Sequence, residues 1–173
     1  MQKLSIAILG DGGWGTTLAI LLQRKDFSVT LWGAFPDYIS YMNRKRINEK
    51  FLPGVKIPKE IKITHDLKVA IDGKQLIVFA IPSQFLRKVL KKIKHIYHHD
   101  LMFLSVTKGI EVGSLKRISQ IIHEELGNVK LAVLSGPTIA HEVARGIPTV
   151  AVIASSDKNL RKYLQTVFMN ERF

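Results

Sequence analysis

Three glycines, Gly10, Gly12 and Gly15, have the spacing G-x-G-x-x-G between a continuous apolar run and an amphipathic stretch. This order is typical of a strand, a tight turn and a helix. In such a turn Gly10 lets the chain leave the strand sharply, Gly12 lets a pyrophosphate approach the backbone, and Gly15 lets the helix pack closely on the strand. The free N–H groups at the helix start favour phosphate. The pattern predicts a dinucleotide site, and a glycine-rich turn of another α/β protein is the alternative.

The end of the next apolar run bears on which dinucleotide such a turn prefers. An acid there binds the ribose hydroxyls of NAD, and a nearby arginine accommodates the 2′-phosphate of NADP. The run ends in the residues Trp-Gly-Ala-Phe at 32–35, which include neither. Asp37 lies just beyond, in the predicted first turn of a helix, where it would complement the helix dipole. The cations at 44–46 are interpreted as a solvated run, so the choice between NAD and NADP stays open.

Two polar residues follow other predicted elements. Lys108 comes just after an apolar run, so its ammonium is expected at the ligand-binding end of a sheet, where it would steady a phosphate or a polarised carbonyl oxygen. A simply solvated lysine is the alternative. Thr138 follows Gly136 and Pro137 and is interpreted as a helix start, where free N–H groups favour anions. Thr138 would equally serve only as a cap.

Short apolar runs that alternate with amphipathic segments indicate the elements that carry these residues. We predict strands at Leu4–Leu9, Ser28–Trp32, Leu76–Ile81, Leu101–Val106, Leu131–Leu134 and Thr149–Ile153, with a shorter one at Ile61–Thr64. We predict helices at Trp14–Gln23, Pro36–Asn43, Gln84–Ile93, Ser114–Leu126, Thr138–Arg145 and Lys158–Phe168. The alternation predicts an α/β fold, a Rossmann-like doubly wound and mostly parallel sheet with helices on both faces.

The predicted helix Gln84–Ile93 lies in the basic segment 84–99, which contains no acid. Its apolar residues recur at helical spacing and would face the core. The cations, Arg87 among them, would then lie mostly on the opposite side. We interpret them as a solvated helix face rather than a binding patch.

Composition limits the classes of function. A chain of 173 residues is long enough for one core that buries about 70% of the unfolded surface. The net charge of +12 makes nucleic acid a conceivable partner. Aromatic residues make up only 8%, and no nucleic-acid motif occurs, so we favour a basic surface suited to phosphate-bearing small molecules. The chain has no cysteine, which excludes disulfides and thiol catalysis.

A metal site and a membrane span are not expected. His98, His99 and Asp100 lie between a basic helix and a strand with no matching ligand motif elsewhere, and neither His123 nor His141 belongs to an H-E-x-x-H motif. No apolar run reaches membrane-spanning length, and no small-residue cleavage site follows the first apolar run. We therefore expect a cytoplasmic protein.

Four further segments, together with 10–15, carry a specific resemblance. They are Trp32-Gly33 followed by Asn48–Gly54, Ile81–Ser83, Thr107–Glu111 and Ser135–Glu142. In order and spacing, along essentially the whole chain, these segments resemble NAD(P)-dependent glycerol-3-phosphate dehydrogenase. That family transfers a hydride between a nicotinamide and dihydroxyacetone phosphate and so makes sn-glycerol 3-phosphate, a precursor of glycerophospholipids.

The resemblance implies roles for individual residues. It assigns cofactor binding, of NAD or NADP, to Gly10, Gly12, Gly13, Trp14, Gly15, Pro82, Lys108 and Ala140, and substrate binding to Lys108, Gly136 and Thr138. Members often carry serine where Gly13 stands, so one hydroxyl contact would be missing. They often carry histidine or arginine where Ala34 stands, so the adenosine end is not assigned.

The resemblance also implies a division of labour. Residues 1–173 would form the dinucleotide-binding domain, and a helical second half, absent from this chain, would supply the general acid or base and the groups that grip the substrate phosphate. We therefore expect no catalytic acid or base in this chain and little activity of the chain alone. A homodimer of the full-length enzyme stays open. The alternatives are a stand-alone dinucleotide-binding module without catalysis and a basic nucleic-acid-binding domain.

Overall fold

A computed structural model of the protein describes residues 3–98 and 100–173. The strands are β1 Ser5–Leu9, β2 Ser28–Trp32, β3 Ile47–Asn48, β4 Leu52–Lys56, β5 Lys62–Thr64, β6 Leu76–Phe79, β7 Met102–Ser105, β8 Lys130–Ser135 and β9 Val152–Ala154. The helices are α1 Gly13–Arg24, α2 Pro36–Lys45, α3 Leu67–Ile71, α4 Ser83–Ile93, α5 Ile118–Leu126, α6 Ala140–Ala144 and α7 Lys158–Phe168.

Across the described residues, the main sheet has seven strands in the order β5-β2-β1-β6-β7-β8-β9. All neighbours pair in parallel except β9, which is antiparallel to β8. The chain moves outward from β1 to β2 and β5, then returns to β6 on the other side of β1. Sheets of this kind bind ligands at the carboxyl ends of the strands where the order reverses. The predicted doubly wound, mostly parallel sheet is confirmed.

Side chains of the sheet alternate between two apolar layers. In β1, Ile6 and Ile8 are buried in the layer that includes α1 and α7, whereas Ala7 and Leu9 are buried in the layer that includes α4 and α5. This period of two is the geometry of a strand, and burial on both faces explains why the strands read as continuous apolar runs. Helices therefore cover both faces, as predicted.

The three central strands end at one level. Leu9 of β1 lies opposite Trp32 of β2 and opposite Phe79 of β6. The residues that follow these strands therefore meet at one edge of the sheet, on either side of the point where the strand order reverses. This edge is where the glycine turn was predicted to act.

Two strands differ from their predicted positions. β6 ends at Phe79 instead of Ile81 because Pro82 is already the N-cap of α4, so residues 80–81 have left the sheet. The strand predicted at Thr149–Ile153 is β9 at Val152–Ala154, displaced toward its end and reversed relative to its neighbour. The hairpin of β3 and β4 and the short α3 were not predicted.

The helix predicted at Ser114–Leu126 begins only at Ile118. Gly113 and Leu115 have positive φ values of 88° and 57°, which no α-helix accepts, so the chain turns before the helix starts. At its other end α5 stops at Gly127, with φ 81°, a position that suits glycine.

The cationic side of α4 is only partly solvated. Lys88, Lys91, Lys92 and Lys94 are exposed, as predicted. Arg87 is not: its guanidinium forms ion pairs at 2.6–2.9 Å with Glu111, Glu124 and Glu125. These pairs connect α4 with α5 and with the loop that precedes it. The interpretation of Arg87 as part of a solvated face is therefore wrong.

Neither a membrane span nor a metal site is expected from the sequence. None of the helices in the described residues is both long enough and apolar enough to cross a membrane. Residues 3–98 and 100–173 contain no group of three His, Cys, Asp or Glu side chains placed to hold a metal ion. His99 of the triplet at 98–100 lies outside the described residues.

Candidate functional site

The turn between β1 and α1 is packed tightly on its inner side. Gly10 has φ 125°, and its N–H donates to the carbonyl oxygen of Trp32 at 2.9 Å. A Cβ at Gly10 would lie 2.6 Å from the carbonyl carbon of Ala80, and a Cβ at Gly15 would lie 3.1 Å from the carbonyl carbon of Gly10. Neither position accepts a side chain. Both glycines therefore have the conformational roles that their spacing predicts.

The outer side of the same turn is open. Gly12 is the N-cap of α1 and forms no side-chain cap, and a Cβ built on it meets no heavy atom within 4 Å. The Thr16 N–H donates to the Gly12 carbonyl at 2.9 Å, and this bond is the first hydrogen bond of the helix. The N–H groups of residues 13–15 precede that bond and point out of the helix start. Open space beside glycine backbone and free N–H groups fits a pyrophosphate.

Gly13 is a glycine for a different reason. A Cβ there would lie 3.4 Å from the carbonyl carbon of Phe51, and closer still to its oxygen. Phe51 belongs to the loop between β3 and β4, which therefore leaves no room for the serine that the family often carries at this position. At Gly13 the backbone of the β3–β4 loop occupies the space that a serine side chain would need.

A buried asparagine holds the turn from the side of the β3–β4 hairpin. The Asn48 Nδ2 donates to the carbonyl oxygen of Asp11 at 2.7 Å and to the Thr16 Oγ1 at 2.8 Å. Its Oδ1 accepts from the Tyr38 hydroxyl at 2.7 Å. Asn48 is fully buried. Sequence reasoning missed this role, although Asn48 opens one of the segments that carry the family resemblance.

Lys108 contacts the two other predicted substrate residues, Gly136 and Thr138. Its Nζ donates to the carbonyl oxygens of Gly136 at 3.3 Å and of Thr138 at 3.2 Å. The preceding Thr107 anchors the loop to the end of β6, since its hydroxyl donates to the Ile81 carbonyl at 2.9 Å. An ammonium has three donors, so these two bonds leave one donor for a ligand. Lys108 is exposed, but its ammonium is held by two carbonyl oxygens rather than surrounded by solvent alone.

Thr138 is not the start of a helix. Its N–H donates to the Gly136 carbonyl at 2.8 Å in a tight turn, and α6 begins two residues later, at Ala140. The N-cap of α6 is Ile139, so the interpretation of Thr138 as a cap is wrong as well. The Thr138 side chain is buried, and its Oγ1 has no hydrogen-bond partner among the described residues. The described fold therefore makes no hydrogen bond with this hydroxyl.

Ala140 connects the two halves of the site. Its carbonyl accepts from the Thr17 Oγ1 on α1 at 3.1 Å, and its Cβ lies 3.5 Å from the place of a Cβ on Gly13. Trp14, on the first turn of α1, packs against Phe173, with ring centroids 6.1 Å apart. The glycine turn, Ala140 and the Lys108 loop thus form one continuous edge.

Pro82 lies at the same edge beyond β6. The Gln84 side chain joins its loop to the Lys108 loop, because Nε2 donates to the Ile110 carbonyl and Oε1 accepts from the Val112 N–H, both at 2.9 Å. Phe85, on the first turn of α4, is 62% exposed. Sequence reasoning did not single it out. An aromatic residue two positions after Pro-Ser, close to a strand end, was the available signal.

The three cations at 44–46, interpreted above as a solvated run, differ in their surroundings. Arg44 and Lys45 are exposed, whereas the Arg46 guanidinium donates to the carbonyl oxygens of Pro58 and Ile61. Burial lowers the pKa of Arg46. Arg46 therefore supports the loop before β5, and the interpretation of all three as a solvated run is wrong for this one.

One acid of the turn was overlooked. Asp11 follows Gly10, and its carboxyl lies against the end of β2: a Cβ on Gly33 would be 2.5 Å from the Asp11 Cγ and 2.6 Å from Oδ2. Burial raises the pKa of Asp11, and its own backbone N–H and the charge of Lys50 oppose that rise. Its Oδ2 is buried and has no partner in residues 3–98 and 100–173.

Comparison with known proteins agrees with this architecture. A family described as "NAD-dependent glycerol-3-phosphate dehydrogenase N-terminus" matches residues 5–161. Curated relatives named glycerol-3-phosphate dehydrogenase [NAD(P)+] include those of Fusobacterium nucleatum, 41% identical over 98% of this chain, and Moorella thermoacetica, 40% identical over 99%. Each alignment covers 51% of the relative, so the chain spans about half the length of these proteins.

Solved structures show the same likeness. The crystal structure of glycerol-3-phosphate dehydrogenase from Coxiella burnetii superposes with a TM-score of 0.94 at 35% identity, over 99% of this chain and 52% of that one. The Plasmodium falciparum glycerol-3-phosphate dehydrogenase superposes with a TM-score of 0.90 at 32% identity, and the match covers 99% of this chain and 51% of that one. A prephenate dehydrogenase from A. aeolicus superposes with a TM-score of 0.70 over 97% of this chain and 57% of that one. At 13% identity it shares the fold alone.

Proposed function

The chain belongs to the family of N-terminal domains of NAD-dependent glycerol-3-phosphate dehydrogenases, and we propose that it holds a nicotinamide dinucleotide for that reaction. One observation carries the proposal: the open glycine turn, the loop after β7 that contains Lys108 and the loop after β8 that contains Thr138 lie along the same edge of the sheet. The turn offers free N–H groups and no side chain at Gly12, which suits the pyrophosphate of a dinucleotide.

The nicotinamide end of the dinucleotide would lie toward Ala140 and Lys108. When bound, the reduced nicotinamide supplies a hydride. The Lys108 ammonium, with one donor left, would bind the nicotinamide end of the cofactor and would face the carbonyl oxygen or the phosphate of the acceptor. Thr138 belongs to the neighbouring loop after β8, and its carbonyl oxygen helps to hold the Lys108 ammonium in this place. We assign the acceptor as dihydroxyacetone phosphate and the product as sn-glycerol 3-phosphate, by analogy with the relatives.

The rest of the catalytic apparatus is assigned to a second domain. Because the relatives are about twice as long, we propose that residues 1–173 form the cofactor domain and that a following domain donates the proton and grips the substrate phosphate. We also propose a cytoplasmic enzyme that needs no nucleic acid, with homodimerisation as a property of the full-length protein. The proposal that no nucleic acid is needed is supported by Arg46 and Arg87, because both arginines are bonded within the fold itself.

A calorimetric titration of the chain with NADH and NADPH tests the proposal. We expect micromolar to millimolar binding of at least one of them. Lys108→Met should weaken that binding roughly tenfold, the effect of one lost charge-assisted hydrogen bond. Lys92→Met, which removes an exposed lysine of α4, is the matched control and should leave the affinity unchanged. Absence of binding by the folded chain would refute the proposed function.

A further inference from the structure

The side chain of Asp11 lies where an acid of β2 would otherwise be. In dinucleotide-binding sheets an acid at the end of the second strand binds the ribose hydroxyls of NAD. β2 ends at Trp32 and is followed by Gly33, where a side chain would have to displace the Asp11 carboxyl and the Ile39 Cδ1, which lie within 2.6 Å of the place of its Cβ. The glycine turn thus delivers a carboxyl to this position, and the glycine after β2 makes space for it.

The carboxyl is held in place through its backbone. The Asp11 carbonyl accepts from the Asn48 Nδ2 at 2.7 Å and from the Thr16 Oγ1 at 3.3 Å. These bonds fix the peptide from which the side chain extends. A conformation that is fixed before binding makes the carboxyl a better ligand group, because less freedom is lost on binding.

The fold supplies few donors to the Asp11 carboxyl, its own backbone N–H among them. The Asp11 Oδ2 is buried, yet no donor within the described residues reaches it. A carboxylate that the fold leaves short of donors is unfavourable, and because Asp11 as a residue is only partly buried, its accessible side is suited to accept a hydrogen bond from a ligand. Ribose hydroxyls are such donors. A 2′-phosphate offers negative oxygens at the same place and would be repelled.

We propose that Asp11 is the residue that selects the cofactor: its carboxylate accepts hydrogen bonds from the hydroxyls of the adenosine ribose and repels a 2′-phosphate, so the chain prefers NAD(H) to NADP(H). This inference rests on the proposed function, since it concerns the same dinucleotide site. The cation that competes is Lys50, which is exposed and lies over the Tyr38 ring, 4.6 Å from its centroid. A preference set by Lys50 would favour NADPH instead.

The test compares the affinities of NADH and NADPH for the wild-type chain and for Asp11→Asn, which keeps the shape and removes the charge. We expect the wild-type chain to bind NADH at least tenfold more tightly than NADPH. Asp11→Asn should reduce that ratio to within about threefold, because it weakens NADH binding and strengthens NADPH binding. Asp37→Asn, the other acid just beyond β2, is the matched control and should leave the ratio unchanged.

The outcomes are distinguishable. A wild-type chain that binds both cofactors equally, or prefers NADPH, overturns the inference even if Asp11→Asn fails to fold, and so does an unchanged ratio in a folded Asp11→Asn variant. In each of these cases the proposed function stands, because a dinucleotide still binds. If neither cofactor binds the folded wild-type chain, the proposed function and this inference fail together.

Discussion

The glycines Gly12 and Gly15 belong to one turn, yet their surroundings predict opposite effects of substitution. A Cβ on Gly12 meets nothing within 4 Å, and its φ of −65° and ψ of 174° suit any residue. A Cβ on Gly15 would lie 3.1 Å from the Gly10 carbonyl carbon, closer still to the oxygen, and 3.2 Å from the Ala80 Cβ. We expect Gly12→Val to keep the fold and lose the ligand, and Gly15→Ala to lose stability.

The magnitudes follow from these contacts. In Gly12→Val the new methyl groups stand where the pyrophosphate would approach, so at least one charge-assisted hydrogen bond is lost, about 1.5–3 kcal/mol or roughly 10–150-fold in Kd. Its free energy of unfolding should change by no more than about 0.5 kcal/mol. Gly15→Ala forces a methyl group against backbone, which costs about 1–3 kcal/mol, and its Tm should fall by roughly 2–12 °C.

The assay is a calorimetric NADH titration and a thermal unfolding curve for each variant beside the wild-type chain. The two variants control for each other, because each adds only carbon atoms within the same six-residue turn. Wild-type NADH affinity in a folded Gly12→Val variant would refute the position of the pyrophosphate. A wild-type Tm in Gly15→Ala would refute the packing argument for the turn.

Three further predictions follow from the structure. Asn48→Ala removes one of the two donors to the Asp11 carbonyl and the acceptor of the Tyr38 hydroxyl, and it should lower the free energy of unfolding by about 1–3 kcal/mol in urea; an unchanged midpoint would contradict its role. Hydrogen bonds from Arg87 and Ser114 lower the pKa of Glu111 from 4.5 to about 2, so its contribution to stability should be complete above pH 4.5 and disappear as the pH falls to about 2. Glu111→Gln should remove that part of the pH dependence, which an unchanged acid unfolding profile would disprove. The 173-residue chain should reduce dihydroxyacetone phosphate at least 10²–10⁴-fold more slowly than the full-length protein, about the contribution of one positioned acid; equal turnover would place the catalytic groups within the chain.

The sheet could be predicted from the sequence because most of its strands are buried on both faces. Parallel strands covered on both faces become continuous apolar runs, and Leu76–Phe79 and Met102–Ser105 are of this kind. The hairpin of β3 and β4 was not readable. β4 contains Pro53 and Gly54, and most of its residues are exposed, so no pattern of period two marks it.

The sequence predicted site residues correctly only where backbone geometry requires a particular residue type. Gly10 and Gly15 are required by close packing, and their spacing shows it. Thr138 was placed wrongly, because a threonine after Gly-Pro looks the same at a helix start and in a tight turn that precedes the helix. Asn48 and Asp11 act through contacts with residues distant in the chain, Asn48 with the turn and Asp11 with Gly33, which no local pattern displays.

The central claim is that a dinucleotide binds across the glycine turn and the Lys108 loop. Its most direct test is an NMR titration of the 15N-labelled chain with NADH, which follows the backbone N–H signals. We predict that the signals of residues 12–15 shift together with those of Lys108 and Ala140, and that those of the exposed lysines of α4 do not. Shifts confined to other surfaces, with residues 12–15 unperturbed at saturation, would contradict the account.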